Sequence, residues 1–147
     1  MEILNRKAKH NYFIIDTYEC GIELTGTEIK SIREGSCNIK DSYALVRNNE
    51  VYLLNMFIGI YKEGNIFNHN ETRSRKLLLH KKEIEKIKDK VELDGFTLVP
   101  LKVYFVRNKA KVLLGICQGK KNYDKREALK EKDRKRELDK INKMKYR

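Results

Sequence analysis

Gly119-Lys120-Lys121-Asn122-Tyr123-Asp124-Lys125-Arg126 marks the place where one kind of sequence stops and another begins. Upstream of it, short apolar runs alternate with polar positions between Gly and Asn turns, the pattern of strands. Downstream, Ala128 to Arg147 carries only scattered apolar residues among Lys, Arg, Glu and Asp. The octapeptide thus divides the chain into a body, residues 1–123, and a basic C-terminal tail, residues 124–147. It also sets four cations and one aromatic ring beside a glycine, a combination suited to holding phosphates and stacking on a base.

Moving back from that boundary, Thr97 to Val106 and Ala110 to Cys117 read as a hairpin across Arg107-Asn108-Lys109. Pro100 lacks a ladder donor and belongs at an edge or bulge, while Lys102 and Lys111 alternate with apolar neighbours and point outward. His80 to Leu93 reads as a helix with Ile84, Ile87 and Val91 on one face and Asp94-Gly95 as its stop. Lys76-Leu77-Leu78-Leu79 is a short apolar strand. Between Tyr61 and Arg75 the pattern fails: Glu63-Gly64-Asn65 and Asn68-His69-Asn70 mark a polar loop followed by Arg73, Arg75 and Lys76. A long loop of this kind is functional or disordered. Ile39 to Arg47 and Val51 to Ile58 are strand-like around the turn Asn48-Asn49-Glu50, with Tyr43, Tyr52 and Phe57 expected to pack the sheet.

Nearer the start, Thr27 is the expected N-cap of a short helix that stops at Gly35. Glu28 lies in its first turn, where it complements the helix dipole, and Arg33 near its end can meet the last carbonyls or a phosphate. Tyr12 to Gly26 reads as extended, with a bulge expected at Gly21. The basic run Asn5-Arg6-Lys7-Ala8-Lys9-His10 is either a solvated arm or a track for an RNA backbone, with Tyr12 stacking. The whole gives six or seven strands and two or three helices, without the repeated strand–helix–strand alternation of a parallel sheet. The expected fold is mainly β with peripheral helices, an OB-like antiparallel barrel, the barrel type most used for oligonucleotides.

The 33 basic and 21 acidic residues leave a formal charge of +12, which calls for a polyanionic partner. Residues 120–147 hold thirteen Lys/Arg and six Asp/Glu, so the basic character is densest there and shared with the body. Helix formers and opposite charges spaced as in Glu127 with Lys130 and Glu131 with Lys135 make the tail a segment expected to be disordered alone and helical on a polyanion. Cys20, Cys37 and Cys117 have no CxxC or Cys/His spacing, and His10, His69 and His80 form no HExxH. There is no GxSxG or P-loop. Glu19, Glu28, Asp41 and Asp124 could serve a metal-dependent nuclease, but no spacing pairs them. The expectation is a non-enzymatic, monomeric, cytoplasmic protein with no cofactor, no metal and no membrane span. A general OB-fold binder of single-stranded or ribosomal RNA meets the same composition.

Taken together in this order, Asn5 to Phe13, Gly26 to Arg33, Lys40-Asp41-Ser42-Tyr43, Arg75 to His80, Leu98 to Lys102 and Gly119 to Arg126 resemble one family, the SsrA-binding proteins or SmpB, bacterial partners of transfer-messenger RNA. The resemblance covers nearly the whole chain. It implies an OB-type barrel without catalytic activity that binds the tRNA-like domain of transfer-messenger RNA at its elbow and D-loop side. It further implies delivery to stalled ribosomes with elongation factor Tu, and a tail that folds in the vacant mRNA channel of the small subunit. Carried over residue by residue, the positions facing the tRNA-like domain are Asn5, Lys7, Lys9, His10, Tyr12, Glu19, Glu28, Arg33, Leu78 and His80, with phosphate contacts from Lys111, Lys120 and Lys121. Tyr123, Asp124, Lys125 and Arg126 match the segment that faces the decoding region. Three departures stand out: Tyr123 where some members have His, His80 where some have Asn, and Ile141-Asn142 in place of an apolar pair.

Overall fold

The computed structural model of the protein describes residues 1–64 and 68–121. In chain order its elements are β1 (Glu2–Leu4), α1 (Ala8–Asn11), β2 (Tyr12–Ile22), α2 (Gly26–Arg33), β3 (Cys37–Asn38), β4 (Tyr43–Arg47), β5 (Glu50–Leu54), β6 (Phe57–Ile58), β7 (Arg75–Leu78), α3 (Lys81–Glu92), β8 (Thr97–Val106) and β9 (Lys109–Gly119). The main sheet runs β1-β8-β4-β5-β7-β2-β9, and β8 pairs again with β9, so six strands close into a barrel and β1 lies outside on the edge of β8. Every pairing is antiparallel. Alternation along the strands fills the barrel: Cys20 and Ile22 from β2, Val51 and Leu53 from β5, and Val112, Leu114 and Ile116 from β9 are buried in one cluster. Ile32 of α2 and Ile87 of α3 join it.

Two hairpins are set by two-residue turns. Asn48 and Asn49 (φ 51° and 59°) join β4 to β5, and Arg107 and Asn108 (φ 51° and 67°) join β8 to β9. Both residues of each turn are left-handed, the geometry whose twist matches the flanking strands. Because Val106 faces Lys109 at the second turn, Tyr104 is paired with Lys111 further along.

The strand β8 has β4 on one half of an edge and β1 on the other, joined at Leu98 and at Lys102 to Tyr104 respectively. The gap between falls at the register shift after Pro100, where proline's missing N–H does no harm. Asn5 spans this gap. Its backbone N–H donates to the Leu101 carbonyl at 2.9 Å, and its side-chain Nδ2 donates to the carbonyls of Pro100 (2.9 Å) and Ile39 (3.3 Å). The basic run is therefore no solvated arm: Ala8 of α1 is buried with Val99 and Cys117 in a small second core on the outside of the barrel, and Tyr12 packs against it.

Around α2 the structure departs from the sequence reading. Its N-cap is Thr25, not Thr27, and Glu28 closes a capping box with it. The Thr27 hydroxyl instead meets His69 Nδ1 at 2.9 Å, while His69 Nε2 donates to the Ile58 carbonyl at 2.9 Å. The bulge expected at Gly21 falls between Ile14 and Asp16. Gly21 is regular and serves another purpose, since a Cβ there would stand 3.1 Å from Leu78 Cβ. Tyr43 and Phe57 are exposed rather than packed in the sheet.

The largest correction concerns the loop before β7. Arg75 is wholly buried and its guanidinium is fully used: Nε donates to Glu28 Oε2 at 2.5 Å, Nη1 to the carbonyls of Met56 (2.6 Å) and Arg73 (3.2 Å), and Nη2 to those of Asn70 and Glu71 (both 3.2 Å). Glu28, equally buried, also accepts from the Thr25 N–H at 2.8 Å and from Arg73 at 2.5 Å. Two charges in a low-dielectric interior persist only when paired and saturated with hydrogen bonds, and here they fasten α2 to β7 and the loop. Glu28 therefore cannot face RNA.

The helix α2 ends on Gly35, whose φ of 80° is left-handed. The N–H groups of Gly35 and Ser36 return to the carbonyls of Ile32 and Ser31, each at 2.9 Å. A Cβ at Gly35 would meet nothing within 4 Å, so Gly35→Ala changes only backbone strain. It is expected to destabilise by about 1–2 kcal/mol, read as a lower urea midpoint at unchanged slope.

Candidate nucleic-acid interface

The remaining candidate residues fall into two groups at opposite ends of β2. From Tyr12 to Glu19 the strand advances roughly 23 Å at ~3.3 Å per residue.

The first group lines a cleft of about 640 Å³ where β2, β7, the start of α3 and the β8–β9 turn converge. It brings together Glu19, Leu78 with His80, and Lys111, which come from three separate stretches of sequence. Leu78 is 48% exposed, so the cleft offers an uncovered apolar surface between charged groups. Glu19 accepts a hydrogen bond from the Tyr104 hydroxyl at 2.6 Å, which orients the carboxylate and leaves its second oxygen to accept another donor. Burial, and then the hydrogen bond to Glu19 and its charge, push the Tyr104 phenol up, so it stays a donor well beyond the ordinary tyrosine range. Lys111 lies on β9 between Gly21 of β2 and Tyr104 of β8. Arg33 reaches the rim from α2: its guanidinium sits over the Phe105 ring at 4.7 Å and donates to the Asn108 carbonyl at 3.4 Å. His80 is exposed at the N-cap of α3, where its N–H donates to Glu83 at 3.0 Å. Cations at the rim can hold phosphates, and a fixed carboxylate beside an apolar side chain can accept from a base amino group or a ribose hydroxyl.

The second group surrounds α1. Lys7 and Tyr12 line a smaller cleft of about 340 Å³, as does Asn5, although Asn5 is only 7% exposed and its donors are spent on the barrel. Lys9 and His10 are exposed on the helix. Lys120 is held to the body: its N–H donates to the Asn11 carbonyl and its Nζ to the Lys9 carbonyl, both at 2.9 Å, with the ammonium 4.9 Å over the Phe13 ring. It fastens the end of β9 to α1 and leaves Lys121, exposed, to follow it. Tyr123, Asp124, Lys125 and Arg126, with the tail, lie outside the described residues. Tyr104, Gly21, Lys109 and Asn108 were missed by sequence reading. The Tyr104–Lys111 pairing follows from a two-residue turn, one residue shorter than the Arg107-Asn108-Lys109 connection expected from sequence, and the contact with Glu19 requires barrel closure.

Among the described residues no helix is long and apolar enough to cross a membrane, and no three His, Cys, Asp or Glu residues gather as a metal site. The family model described as SmpB protein matches residues 2–144. The chain is 58% identical over 142 residues to the SsrA-binding protein of Staphylococcus epidermidis, covering 97% of this chain and 91% of that one. It is 59% identical over 142 residues to the one of Staphylococcus aureus (strain Newman), covering 97% and 92%. With the one of Clostridium acetobutylicum it shares 58% over 135 residues, covering 92% and 87%. A solved chain described as "tmRNA-SmpB: a journey to the center of the bacterial ribosome" superposes with a TM-score of 0.69 at 47% identity, covering 87% of this chain and 94% of that one.

Proposed function

This chain belongs to the SmpB protein family, and from that premise we propose that it is the non-enzymatic RNA-binding protein of trans-translation in its cell. It binds transfer-messenger RNA and acts with it on the ribosome. The observation that carries the reading is the first cleft: Glu19 of β2, Leu78 and His80 at the β7–α3 junction and Lys111 of β9 meet at one uncovered surface, with Arg33 on its rim. In our reading this cleft takes the tRNA-like domain. Lys111 and Arg33 hold backbone phosphates, and Glu19, steadied by Tyr104, accepts from a base or ribose and makes the contact selective. The group around α1, with Lys7, Lys9, His10, Tyr12 and Lys121, extends the RNA-facing surface. Residues 124–147 form the ribosome-facing arm, with Tyr123, Asp124, Lys125 and Arg126 at the decoding region and the following residues in the mRNA channel. Elongation factor Tu joins the delivery complex, and the protein acts as a monomer in the cytoplasm.

The test is competition at physiological salt between the tRNA-like domain of transfer-messenger RNA, bulk tRNA and unstructured RNA. A preference of about a hundredfold, near 2.7 kcal/mol, is the expected result. Equal competition would leave only a charge-driven RNA binder. Removing residues 124–147 is expected to leave binding of the tRNA-like domain within about threefold of the full chain and to abolish tagging on stalled ribosomes.

A further inference from the structure

The smaller cleft beside α1 has a construction that a phosphate-binding patch does not need. Its wall includes Asn5, Lys7, Tyr12, Lys40, Asp41 and Tyr43. The Asn5 amide orientation is fixed, because Nδ2 faces two carbonyl oxygens, those of Pro100 and Ile39, and neither residue lines the cleft. Asn5 Oδ1 is consequently left buried with no hydrogen-bond partner, in a side chain more than nine-tenths buried. An orphaned acceptor of this kind is costly and rare, and it asks for a donor from outside the protein. Lys7 and Lys40 line the same wall, and contact with Lys40, as a hydrogen-bonding neighbour and then as a charge, holds Lys7 below the ordinary lysine range, with Asp41 offsetting part of it. A phosphate between two such lysines relieves their repulsion. Tyr43 in the lining is 41% exposed, and Tyr12, also in the lining, packs against the second core. The volume, about 340 Å³, is at the small end of ligand sites.

We propose that this cleft captures a single unstacked nucleotide of RNA whose base carries an exocyclic amino group: the amino group donates to Asn5 Oδ1, the base lies against Tyr43, and its phosphate bridges Lys7 and Lys40. Adenine, cytosine and guanine supply that donor and uracil does not. The inference deepens the RNA-binding function proposed above, rests on it, and adds Lys40 and Tyr43 as contacts. The nucleotide can come from transfer-messenger RNA or from ribosomal RNA, which offer the same chemistry.

The test uses the full chain, labelled with 15N, titrated with the single-stranded tetranucleotides A4, C4 and U4. A4 and C4 are expected to shift the backbone signals of Lys7, Lys40 and Tyr43 with at least fivefold tighter binding than U4. Lys40→Ala and Tyr43→Ala, both at exposed positions, are expected to weaken A4 at least tenfold while leaving the protein folded. A4 and U4 binding equally, shifts confined to the Glu19 cleft, or A4 binding indifferent to Lys40→Ala would each overturn the proposal. A photo-crosslinking residue at position 43 then separates the sources, in one arm with the tRNA-like domain and in the other with small ribosomal subunits. Crosslinking to an unpaired A, C or G in either arm supports the cleft and names its RNA; crosslinks to neither, or only to paired nucleotides, overturn it. If the protein discriminates no tetranucleotides yet still prefers the tRNA-like domain, the cleft alone is refuted. If that preference is also absent, the RNA-binding reading fails with it.

Discussion

Arg75→Met is expected to lower the stability of the protein by about 3–5 kcal/mol, a loss large enough to unfold many domains of this size at moderate temperature. The substitution removes five hydrogen bonds and leaves the Glu28 carboxylate in the interior with only Arg73 and the Thr25 N–H to answer it. The carbonyls of Met56, Asn70 and Glu71 lose their donor as well, so the loop before β7 loosens along with α2. Urea denaturation of wild type, Arg75→Met, Glu28→Gln and the double variant forms a cycle. The double variant is expected to cost less than the sum of the singles, because each single change already strands the partner. Strict additivity would mean that the pair is not coupled.

The same network gives an acid dependence of definite sign. Burial pushes the Glu28 carboxyl up, but Arg73, the Thr25 N–H and Arg75 together outweigh it and hold the group below the ordinary glutamate value of about 4.5. A carboxyl depressed in the folded state stabilises above its unfolded pKa, and that contribution fades as pH falls through the folded pKa. The stability difference between wild type and Glu28→Gln is therefore expected to be constant from neutral pH down to about 4.5 and to shrink at lower pH. Denaturation midpoints across that range check it; a difference that grows on acidification would reverse the assignment.

What could be read in the sequence, and what could not, follows from how far each signal reaches along the chain. The strands are legible because alternation is local, as in Ala110 to Ile116, and Thr97–Val106 emerges with the bounds expected. The turns at Asn48-Asn49 and Arg107-Asn108 are legible in place from their Asn residues, which tolerate positive φ, but not in length: Glu50 and Lys109, expected in the turns, are the first residues of β5 and β9. The roles of the charged residues are not local. Nothing near Glu28 in sequence says that Arg75, 47 positions on, will bury beside it, and an Arg in a cluster of cations after a polar loop looks like a surface cation. Glu19 was legible as a candidate through family resemblance, but its orienting partner Tyr104 is 85 positions away and meets it only when β8, β9 and β2 close the barrel. Asn5 shows the reverse: a residue chosen for RNA turns out to stitch a gap in the edge of β8, and only its unpartnered oxygen remains for anything else.

For the RNA-binding surface, the change expected to matter most is Lys111→Glu, with about a hundredfold loss of affinity for the tRNA-like domain, near 2.7 kcal/mol. Lys111 lines the larger cleft, flanked across the sheet by Gly21 and Tyr104, and Glu19 and Glu83 already line the same space. Reversal both removes a phosphate contact and adds a third acid facing a polyanion, so repulsion compounds the loss. The neutral change Lys111→Gln is expected to be milder and to reduce the slope of log affinity against log salt by about 1, the signature of one phosphate contact. Glu19→Gln separates selection from attraction. The amide keeps an acceptor for Tyr104 and removes a negative charge, so if Glu19 were only a burden on an electropositive surface, affinity for every RNA would rise. If instead its free oxygen accepts from the bound RNA, affinity for the tRNA-like domain falls while affinity for unstructured RNA holds or rises, and the ratio between them shrinks. Lys88→Glu on α3, a residue bonded to Asn49 and outside this cleft, supplies the control for net charge. Equal losses from Lys88→Glu and Lys111→Glu would assign the binding to overall charge; a loss confined to Lys111→Glu, with discrimination altered by Glu19→Gln, places both affinity and selectivity in the cleft built by β2, β7 and β9.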